Sequence, residues 1–448
     1  MRMPPTPPDL NKVWAELQKD QAKLQAVPRV LPGINQEKYE HWDTIRFGKV
    51  PKPLDPEDVW AITKFFRVAG SRSLPLDDKN GRSLTYFQTN AFLRSLHEID
   101  SNACGAIGVP GAAANPAGRD LYLQRSLIEE PFSSSVLEGA AATRAQAKRL
   151  IEEGKAPRTL GERMIINNYR AMEFIREHRS EPLTVARVLE VHRILTIDTL
   201  DRPEKCGVFR APDDVVVVED TATGETLHIP PKAEELPTRV QKLCDFANGD
   251  AEQGGVFMHP VIRAIILHYM LAYDHPFWDG NGRCARALFY WSVLRQGYWL
   301  LEYISISAVI RKAPIKYGTA ILYSETDAGD VTYFIDHQLG VIQSAIADLH
   351  KYLDAKATEL RTLGQALGNL ERILNERQLK IIQDALKRSH AQYTIRTHAI
   401  TQGVHYLTAR QDLEQLSNMG LLLRRKEGVQ LLFTVPGNLQ DRLNKRAA

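Results

Sequence analysis

Hydrophobic residues recur at helical spacing over most of the chain. Residues 10–26 have the pattern of a polar amphipathic helix, and residues 56–175 keep a helical pattern that breaks at 105–115 and at 154–157. Beyond residue 230, helical spacing returns in residues 236–248, 260–273, 283–296 and 331–353. This pattern predicts a mainly α fold.

One stretch departs from the helical period. Residues 215–219 and 225–229 have the character of strands, and Thr223-Gly224 between them supplies turn residues. Pro230 and Pro231 then end the pattern. The sequence therefore predicts a β-hairpin between residues 207 and 229, inside an otherwise helical region.

The last part of the chain has a different order of elements. From residue 375, two short helices are followed by Gly403, a third helix and a hairpin over residues 421–433 that turns at Glu427-Gly428. This order predicts a winged helix-turn-helix. Because 448 residues exceed what one core usually supports, we expect three domains. They are a helical extension over residues 1–95, a core over 96–360 and a winged-helix-like domain over 366–436.

The composition narrows the classes of protein that fit. Lys and Arg number 57 against 54 Asp and Glu, and a net charge of +3 is too small for a chain coated in nucleic acid. The four cysteines have neither CxxC pairing nor metal-ligand spacing. The proline-rich start lacks the apolar run of a signal peptide, and no apolar stretch reaches the ~20 residues that span a bilayer. We expect a cytoplasmic protein with reduced thiols and no membrane partner.

The densest group of chemically active residues is the loop His275-Pro-Phe-Trp-Asp-Gly-Asn-Gly-Arg-Cys-Ala-Arg286, between two predicted helices. Gly280 and Gly282 allow backbone conformations in which successive N–H groups turn inward and bind an anion. A helix that starts at Arg283 would add the N–H groups of its first turn. The loop therefore has the features of a phosphate-binding site.

Its side chains fit the same chemistry. Arg283 and Arg286 are three residues apart, so both can project from one helix face toward outer phosphates. Asp279 offers an oxygen ligand suited to a Mg²⁺ ion that bridges phosphate oxygens. His275 has an ordinary pKa near ~6.5, which suits a general base that deprotonates an attacking hydroxyl. Phe277 is expected to anchor the loop in the core.

Two other interpretations of the loop compete with this one. A single histidine at a helix end is usually a cap or a packed residue, but it rarely comes with this set of neighbours. Gly280-Asn-Gly282-Arg-Cys-Ala285 also fits a loose GxGxxA dinucleotide fingerprint. That fingerprint requires a preceding strand, whereas the residues before the loop have helical period. The dinucleotide interpretation is therefore rejected.

The loop resembles the signature of the Fic family, His-x-Phe-x-Asp/Glu-Gly-Asn-Gly-Arg-x-x-Arg, at every defined position. The resemblance extends over about residues 125–339. It implies a helical core. Members of the family mostly transfer AMP from ATP to Tyr, Thr or Ser of target proteins, and the resemblance implies the same activity here. It also implies that His275 is the base, Asp279 holds Mg²⁺, Asn281 lines an anion hole for the α-phosphate, and Arg283 and Arg286 hold the outer phosphates.

Two further features follow from the resemblance. Residues 207–231 are similar to the family's flap, which holds the target segment by backbone pairing; the alternative is a purely structural hairpin. Where relatives often carry a Tyr-Tyr pair near the nucleobase, this chain has Tyr317-Gly318. Tyr317 is then a nucleotide contact, and strict preference for ATP is left open.

Residues 134–139, Ser-Ser-Val-Leu-Glu-Gly, resemble the family's inhibitory motif, which implies roles for Ser134, Glu138 and Gly139. In relatives the glutamate pairs with the second signature arginine, here Arg286, and diverts it from the γ-phosphate. Ser135 and Glu138 also fit the spacing of a capping box that opens a helix. The residues themselves are compatible with both an inhibitory motif and a capping box.

The tail is basic, which suits phosphate contacts, although such modules also mediate protein contacts or dimerisation. Its basic residues are Arg396, His398, His405, Arg410, Arg424, Arg425 and Lys426. DNA and a second copy of the chain are therefore alternative partners.

The sequence thus predicts a protein AMP-transferase that uses ATP and Mg²⁺ and is restrained by Glu138. One alternative is an enzyme with the same loop that removes AMP or moves another phosphate-bearing group. A second is a regulator that binds DNA and only senses nucleotide, against which the complete loop with His275 argues.

Overall fold

The computed structural model describes residues 1–34, 38–104, 116–220, 223–249, 257–370, 373–388, 390–427, 430–439 and 441–443. Helices dominate these ranges, and the prediction of a mainly α fold is confirmed. None of the helices in the described ranges is both long and apolar enough to cross a bilayer.

The helices, in chain order, are α1 (Leu10–Leu17), α2 (Gln21–Ala26), α3 (Trp42–Ile45), α4 (Pro56–Gly70), α5 (Asn90–Ala103), α6 (Pro116–Leu137), α7 (Arg144–Glu152), α8 (Leu160–Glu177), α9 (Val185–Thr196), α10 (Leu236–Asn248), α11 (Pro260–Asp274), α12 (Asn281–Arg295), α13 (Ile306–Lys312), α14 (Pro314–Thr326), α15 (Thr332–Leu370), α16 (Glu376–Lys387), α17 (Ile395–Gln402) and α18 (Tyr406–Asn418).

Within the described ranges, the strands form three small antiparallel sheets. They are β1 (Arg72–Asp77), β2 (Ser83–Tyr86), β3 (Val218–Glu219), β4 (Thr226–His228), β5 (Gln392–Thr394), β6 (Leu423–Glu427) and β7 (Gln430–Thr434). β1 pairs with β2, β3 pairs with β4, and the third sheet has the order β5-β7-β6. In the last sheet Thr394 lies opposite Leu432, and Arg425 lies opposite the same residue from the other side.

The chain divides into two compact units. Among the described residues, the first contains residues 1–104 and 119–349, and the second contains residues 116–118 and those from His350 onward. In the first unit, α11 and α12 lie at the centre, and their side chains are buried almost without exception. A helix that is apolar on all sides must be enclosed by others. The loop between these two helices is therefore held by the most densely packed part of the unit.

The second unit has a core of its own. Aliphatic and aromatic side chains of α16, α18 and the sheet fill this core, among them Ile382, Leu413, Leu416 and Phe433. α17 ends at Gly403, whose φ of +61° is reached most easily by glycine. α18 follows after a short turn, and β6 and β7 complete the unit.

Several sequence-based boundaries were wrong. The helix expected over residues 10–26 is two helices, because Asp20 caps α2 through the N–H groups of Ala22 and Lys23. α12 begins at Asn281 and not at Arg283, because Gly280 takes a left-handed conformation as its N-cap.

The strands were also predicted imperfectly. The hairpin β1–β2 lies in residues that were expected to be helical, and the short strand β5 was missed. The hairpin at residues 215–229 is present but pairs over only two or three residues. The break expected at residues 105–115 lies outside the described residues, as does Gly428 of the last hairpin turn.

Candidate active site

The predicted phosphate loop connects the two central helices. α11 ends where His275 adopts a left-handed conformation, with φ +46°, and its N–H donates to the carbonyl of Leu271. Gly280, with φ +85°, turns the chain into α12. The first N–H groups of a helix have no partner within the helix. The loop thus ends at a set of N–H groups with the positive end of a helix dipole.

Phe277 and Asn281 fix the shape of the loop. Phe277 is fully buried, which confirms its predicted role as an anchor. Its N–H donates to Oδ1 of Asn281 at 2.9 Å, and Nδ2 of Asn281 donates to the carbonyl of Phe277 at 2.9 Å. The Asn281 side chain therefore braces the loop, and any contribution of this residue to an anion hole falls to its backbone N–H.

His275 has the tautomer that a general base needs. Its Nδ1 lies 3.0 Å from the carbonyl of Ala272, and a carbonyl only accepts, so Nδ1 carries the proton. In the neutral ring, Nε2 then holds a lone pair, and it makes no hydrogen bond to any residue that the structure describes. Burial lowers the pKa of His275 from its ordinary value, which favours the neutral form.

Two residues that sequence reasoning did not assign to the site hold the loop in place. Nε of Arg210 donates to the carbonyl of His275 at 2.9 Å, and its backbone N–H donates to the carbonyl of Pro276. Nε2 of His192 donates to the carbonyl of Asp279 at 2.9 Å, and its ring stacks on Phe277. No local motif marks either residue, because each acts on the loop backbone from a distant part of the chain.

His192 also connects the loop to the start of the predicted flap. The N–H of Gly207 donates to its Nδ1 at 3.1 Å, so the ring accepts at one nitrogen and donates at the other. Burial lowers the pKa of His192 to about 4, and the ring is neutral at physiological pH. A neutral ring is what this pair of hydrogen bonds requires.

The two arginines of the loop bind different partners. Arg283 is buried and donates from Nη2 to Asp279 at 3.0 Å and from Nη1 to the carbonyl of Leu195 at 3.4 Å. Asp279 itself is half exposed, and its other oxygen accepts the N–H of Gly280. Arg283 is therefore held by the loop itself and by the end of α9.

Arg286 is bound to the segment 134–139. Its Nε donates to Oγ of Ser134 at 2.9 Å, and Nη2 donates to the Ser134 carbonyl at 3.1 Å and to Oε1 of Glu138 at 2.8 Å. Burial opposes the ionisation of Glu138, but Arg286 and then Arg283 outweigh it and hold the Glu138 pKa below its ordinary value. The carboxylate is therefore charged at neutral pH.

Glu138 lies over the start of α12. A Cβ built on Gly282 would collide with its carboxylate and lie 3.0 Å from Nη1 of Arg286. Only a glycine at position 282 permits this approach, so the carboxylate occupies the space next to the first turn of α12. A phosphate group bound at that turn would have to share this space with a negative charge.

The capping-box interpretation of Ser135 and Glu138 is wrong. The segment ends α6 and does not begin a helix, and Oγ of Ser135 has no hydrogen-bond partner in the described residues. The N–H of Gly139 donates to the Val136 carbonyl and that of Ala140 to the Ser135 carbonyl, with φ +89° at Gly139. This is a Schellman ending, and it explains why a glycine follows Glu138.

Tyr317 lies in a buried aromatic group. Its hydroxyl is 3.0 Å from Nε2 of His268, and burial raises its pKa to about 12. A Cβ on Gly318 would lie 2.7 Å from Sδ of Met1, so the Met1 side chain fills the space that a second tyrosine would need. Met1 therefore packs against Gly318, at the position where relatives often carry the second tyrosine.

Residues 182–293 match the model of the Fic/DOC family. The chain carries a Fic domain. The matched range includes the whole loop from His275 to Arg286, together with His192 and Arg210. It does not include residues 134–139.

Known proteins support this assignment over a longer range. The chain is 28% identical over 210 residues to protein adenylyltransferase Fic of Nematostella vectensis, covering 45% of each chain. It is 30% identical over 214 residues to the protein of the same name from Drosophila willistoni, covering 46% of this chain and 39% of that one. The chain spans about half the length, or less, of the curated relatives that it matches.

A solved structure supports the fold. A Fic family protein from Desulfovibrio desulfuricans G20 superposes with a TM-score of 0.52 at 20% identity, covering 79% of this chain and 98% of that protein. This likeness concerns the fold alone. It agrees with a mainly helical Fic fold.

Proposed function

We propose that this protein transfers AMP from ATP to a hydroxyl side chain of a target protein. The observation that carries the proposal is the neutral His275, whose unbonded Nε2 lies at one end of a loop that finishes at the N-terminus of α12. A base and an anion site on one short rigid loop suit a hydroxyl that attacks a phosphate.

In the proposed reaction, Nε2 of His275 takes the proton of the target hydroxyl. The hydroxyl oxygen forms a bond to the α-phosphorus of ATP, and the bond from that phosphorus to the bridging oxygen of pyrophosphate breaks. AMP remains on the target, and pyrophosphate leaves. The N–H groups of Asn281 and Gly282 stabilise the charge on the α-phosphate, and Arg286 binds the outer phosphates once it is released from Glu138.

Asp279 is the residue proposed to hold Mg²⁺. Magnesium is commonly bound through one or two carboxylates together with substrate phosphates. The half-exposed Asp279 carboxylate fits that mode, while the described residues contain no group of three or more metal-ligating side chains. When bound, the ion neutralises charge on the phosphates. Asp279 would have to loosen its contact with Arg283 to bind it.

We propose that Glu138 restrains this activity. Its carboxylate is paired with Arg286 and lies over Gly282, so it competes with the γ-phosphate for the same guanidinium. Ser134 supports the restraint because it holds Arg286 in the orientation that faces Glu138. Gly139 supports it by ending α6 directly after the glutamate.

The β3–β4 hairpin is the proposed docking site for the target segment. β3 pairs only with β4 among the described residues, so its other edge offers unpaired backbone groups. Arg210 ties the segment before β3 to the carbonyl of His275. A peptide that adds as a strand to this edge would gain backbone hydrogen bonds without a sequence requirement.

The test uses ATP labelled on either the α- or the γ-phosphate. Transfer of AMP predicts that protein acquires label from α-labelled ATP only, since the γ-phosphate leaves in pyrophosphate. Label from the γ-position would show phosphorylation instead. Absence of protein-bound α-label in both the wild type and Glu138→Gly would refute AMP transfer.

A specific observation also supports removal of AMP as a second activity. Glu138 is a charged carboxylate directly beside the anion site, and a carboxylate can orient a water toward phosphorus. Release of AMP from a modified target by the wild type, lost in Glu138→Gln, would identify this activity.

For the second unit we propose a winged helix-turn-helix that binds protein rather than DNA. Arg424, Arg425 and Lys426 on β6 are exposed, but His398 is buried against Asp412 and cannot contact phosphate. The apolar side chains of Ile400 and Leu407 are 72% and 70% exposed. Exposed apolar groups on α17 and α18 favour a protein partner, including a second copy of the chain.

A further inference from the structure

The N-terminal part of the chain contains a pocket with a basic lining. The segment before α4, together with α4 and α5, encloses a pocket of about 730 Å³. Among the residues that the structure describes, five cationic side chains line it, namely Arg29, Lys38, Lys49, Arg67 and Arg94, against one carboxylate, that of Glu40. The pocket contains no residue of the Fic loop.

Arg67 distinguishes this pocket from an ordinary basic surface. It is only 3% exposed, and its Nε has no hydrogen-bond partner in the described residues. Its guanidinium lies 3.7 Å from the ring centre of Tyr39, and Nη1 donates to the carbonyl of Glu40. A buried cation without a carboxylate partner is costly. An anion in the pocket that Arg67 lines would compensate this charge.

The N-terminus of α5 forms another part of the wall. Asn90 and Ala91, the first two residues of this 14-residue helix, line the pocket. Thr89 caps the helix by accepting the N–H of Phe92, which leaves the positive end of the dipole directed at the pocket. The helix terminus and Arg67 come from separate elements, and they favour the same kind of ligand.

The remaining wall is apolar. Val30, Ile45, Pro51 and Val59 contribute carbon surface to the same pocket. Pockets of about 300 to 1,000 Å³ bind small molecules of drug or cofactor size. Phosphate recognition at one side and carbon surface at the other fit a small molecule that carries several phosphates.

We propose that this pocket binds a small polyphosphorylated ligand, either a free nucleotide or an inorganic polyphosphate, at a site separate from the Fic loop. The two sources share the phosphate chemistry that Arg67 and α5 recognise. The apolar wall distinguishes them, because only a nucleotide has a base to place there.

Hydrogen exchange of the full chain, with and without inorganic tripolyphosphate or ADP, tests the proposal. We expect slower exchange in residues 59–68 and 89–95 on addition of at least one probe. The double variant Lys38→Gln/Lys49→Gln should need about tenfold or more probe to reach the same protection, because hydrogen bonds to charged groups contribute that much to affinity. Lys12→Gln/Lys19→Gln removes the same charge from exposed positions in and just after α1 and should leave it unchanged.

Arg67→Met gives a second measurement, the rise of Tm on addition of the probe. The rise should be lost in this variant. Protection by tripolyphosphate identifies the phosphates as sufficient, and protection by ADP alone identifies a nucleotide. The proposal is overturned if neither probe protects these segments, if only residues 275–286 respond, or if both lysine pairs lose protection equally.

Discussion

Replacing Glu138 with glycine separates the proposed restraint from every other part of the site. The change removes the carboxylate that accepts from Arg286 at 2.8 Å and clears the space over Gly282. It leaves His275 and the bracing contacts of Phe277 untouched. Arg286 keeps its two hydrogen bonds to Ser134, so the guanidinium stays near the loop while one donor group becomes available.

The expected increase in the transfer rate follows from the hydrogen bond between Arg286 and Glu138. A hydrogen bond between charged groups contributes about 1.5–3 kcal/mol, and productive ATP binding must first break it. Removing the competitor should therefore raise the transfer rate roughly 10- to 150-fold. The same loss should lower stability by an amount of about this size, so Tm falls while activity rises. If Glu138 had only a structural role, replacing it would lower both Tm and the transfer rate.

The assay measures label from α-labelled ATP on protein, together with Tm, for matched variants. Glu138→Gln removes the charge but keeps the bulk over Gly282, and it separates electrostatic from steric restraint. Glu129→Ala removes a carboxylate from the same helix, α6, where it pairs with Arg144. We expect no increase in transfer from that control. A less stable Glu138→Gly protein with unchanged or lower transfer would refute the restraint.

Three further predictions concern the metal, the pH dependence and the tail. Asp279→Ala should abolish the Mg²⁺ dependence of transfer, and an unchanged Mg²⁺ titration would remove Asp279 from the ligands. Burial lowers the pKa of His275 from its ordinary value of 6.5, so the ring stays neutral at pH values somewhat below 6.5. The transfer rate should therefore fall on the acid side only below pH 6.5. A rate that already falls above that pH would contradict a neutral His275 as the base. Deletion after Leu370 should preserve self-labelling but alter self-association, as light scattering can show, whereas a folded truncated protein without activity would place the tail in the active unit.

The geometry of the loop could be predicted from the sequence only in part. Gly280 and Gly282 indicated a backbone anion site, and the structure places them at the start of α12. The acceptors of Arg283 and Arg286 could not all be predicted from their spacing. Arg283 donates to Asp279 in the same loop, but its other acceptor lies on α9, and the acceptors of Arg286 lie at the end of α6.

The two site residues that sequence reasoning missed also contact the loop from distant parts of the chain. Arg210 and His192 act through backbone carbonyls of the loop, and no periodicity or motif signals such a contact. The hairpin β1–β2 was missed because its residues alternate over a short length beside strongly helical segments. Its position depends on pairing with the chain near Gly329, since the N–H of Thr85 donates to that carbonyl.

Transfer of α-label by Glu138→Gly, compared with Glu138→Gly/His275→Ala, is the most direct measurement of the central claim. The first variant frees Arg286, and the second removes only the base from an otherwise released site. We expect the double variant to bind ATP normally but to lose label by roughly 10²- to 10⁴-fold, as removal of a general base typically does. Equal labelling by the two folded proteins would show that His275 is not the base and would contradict the proposed mechanism.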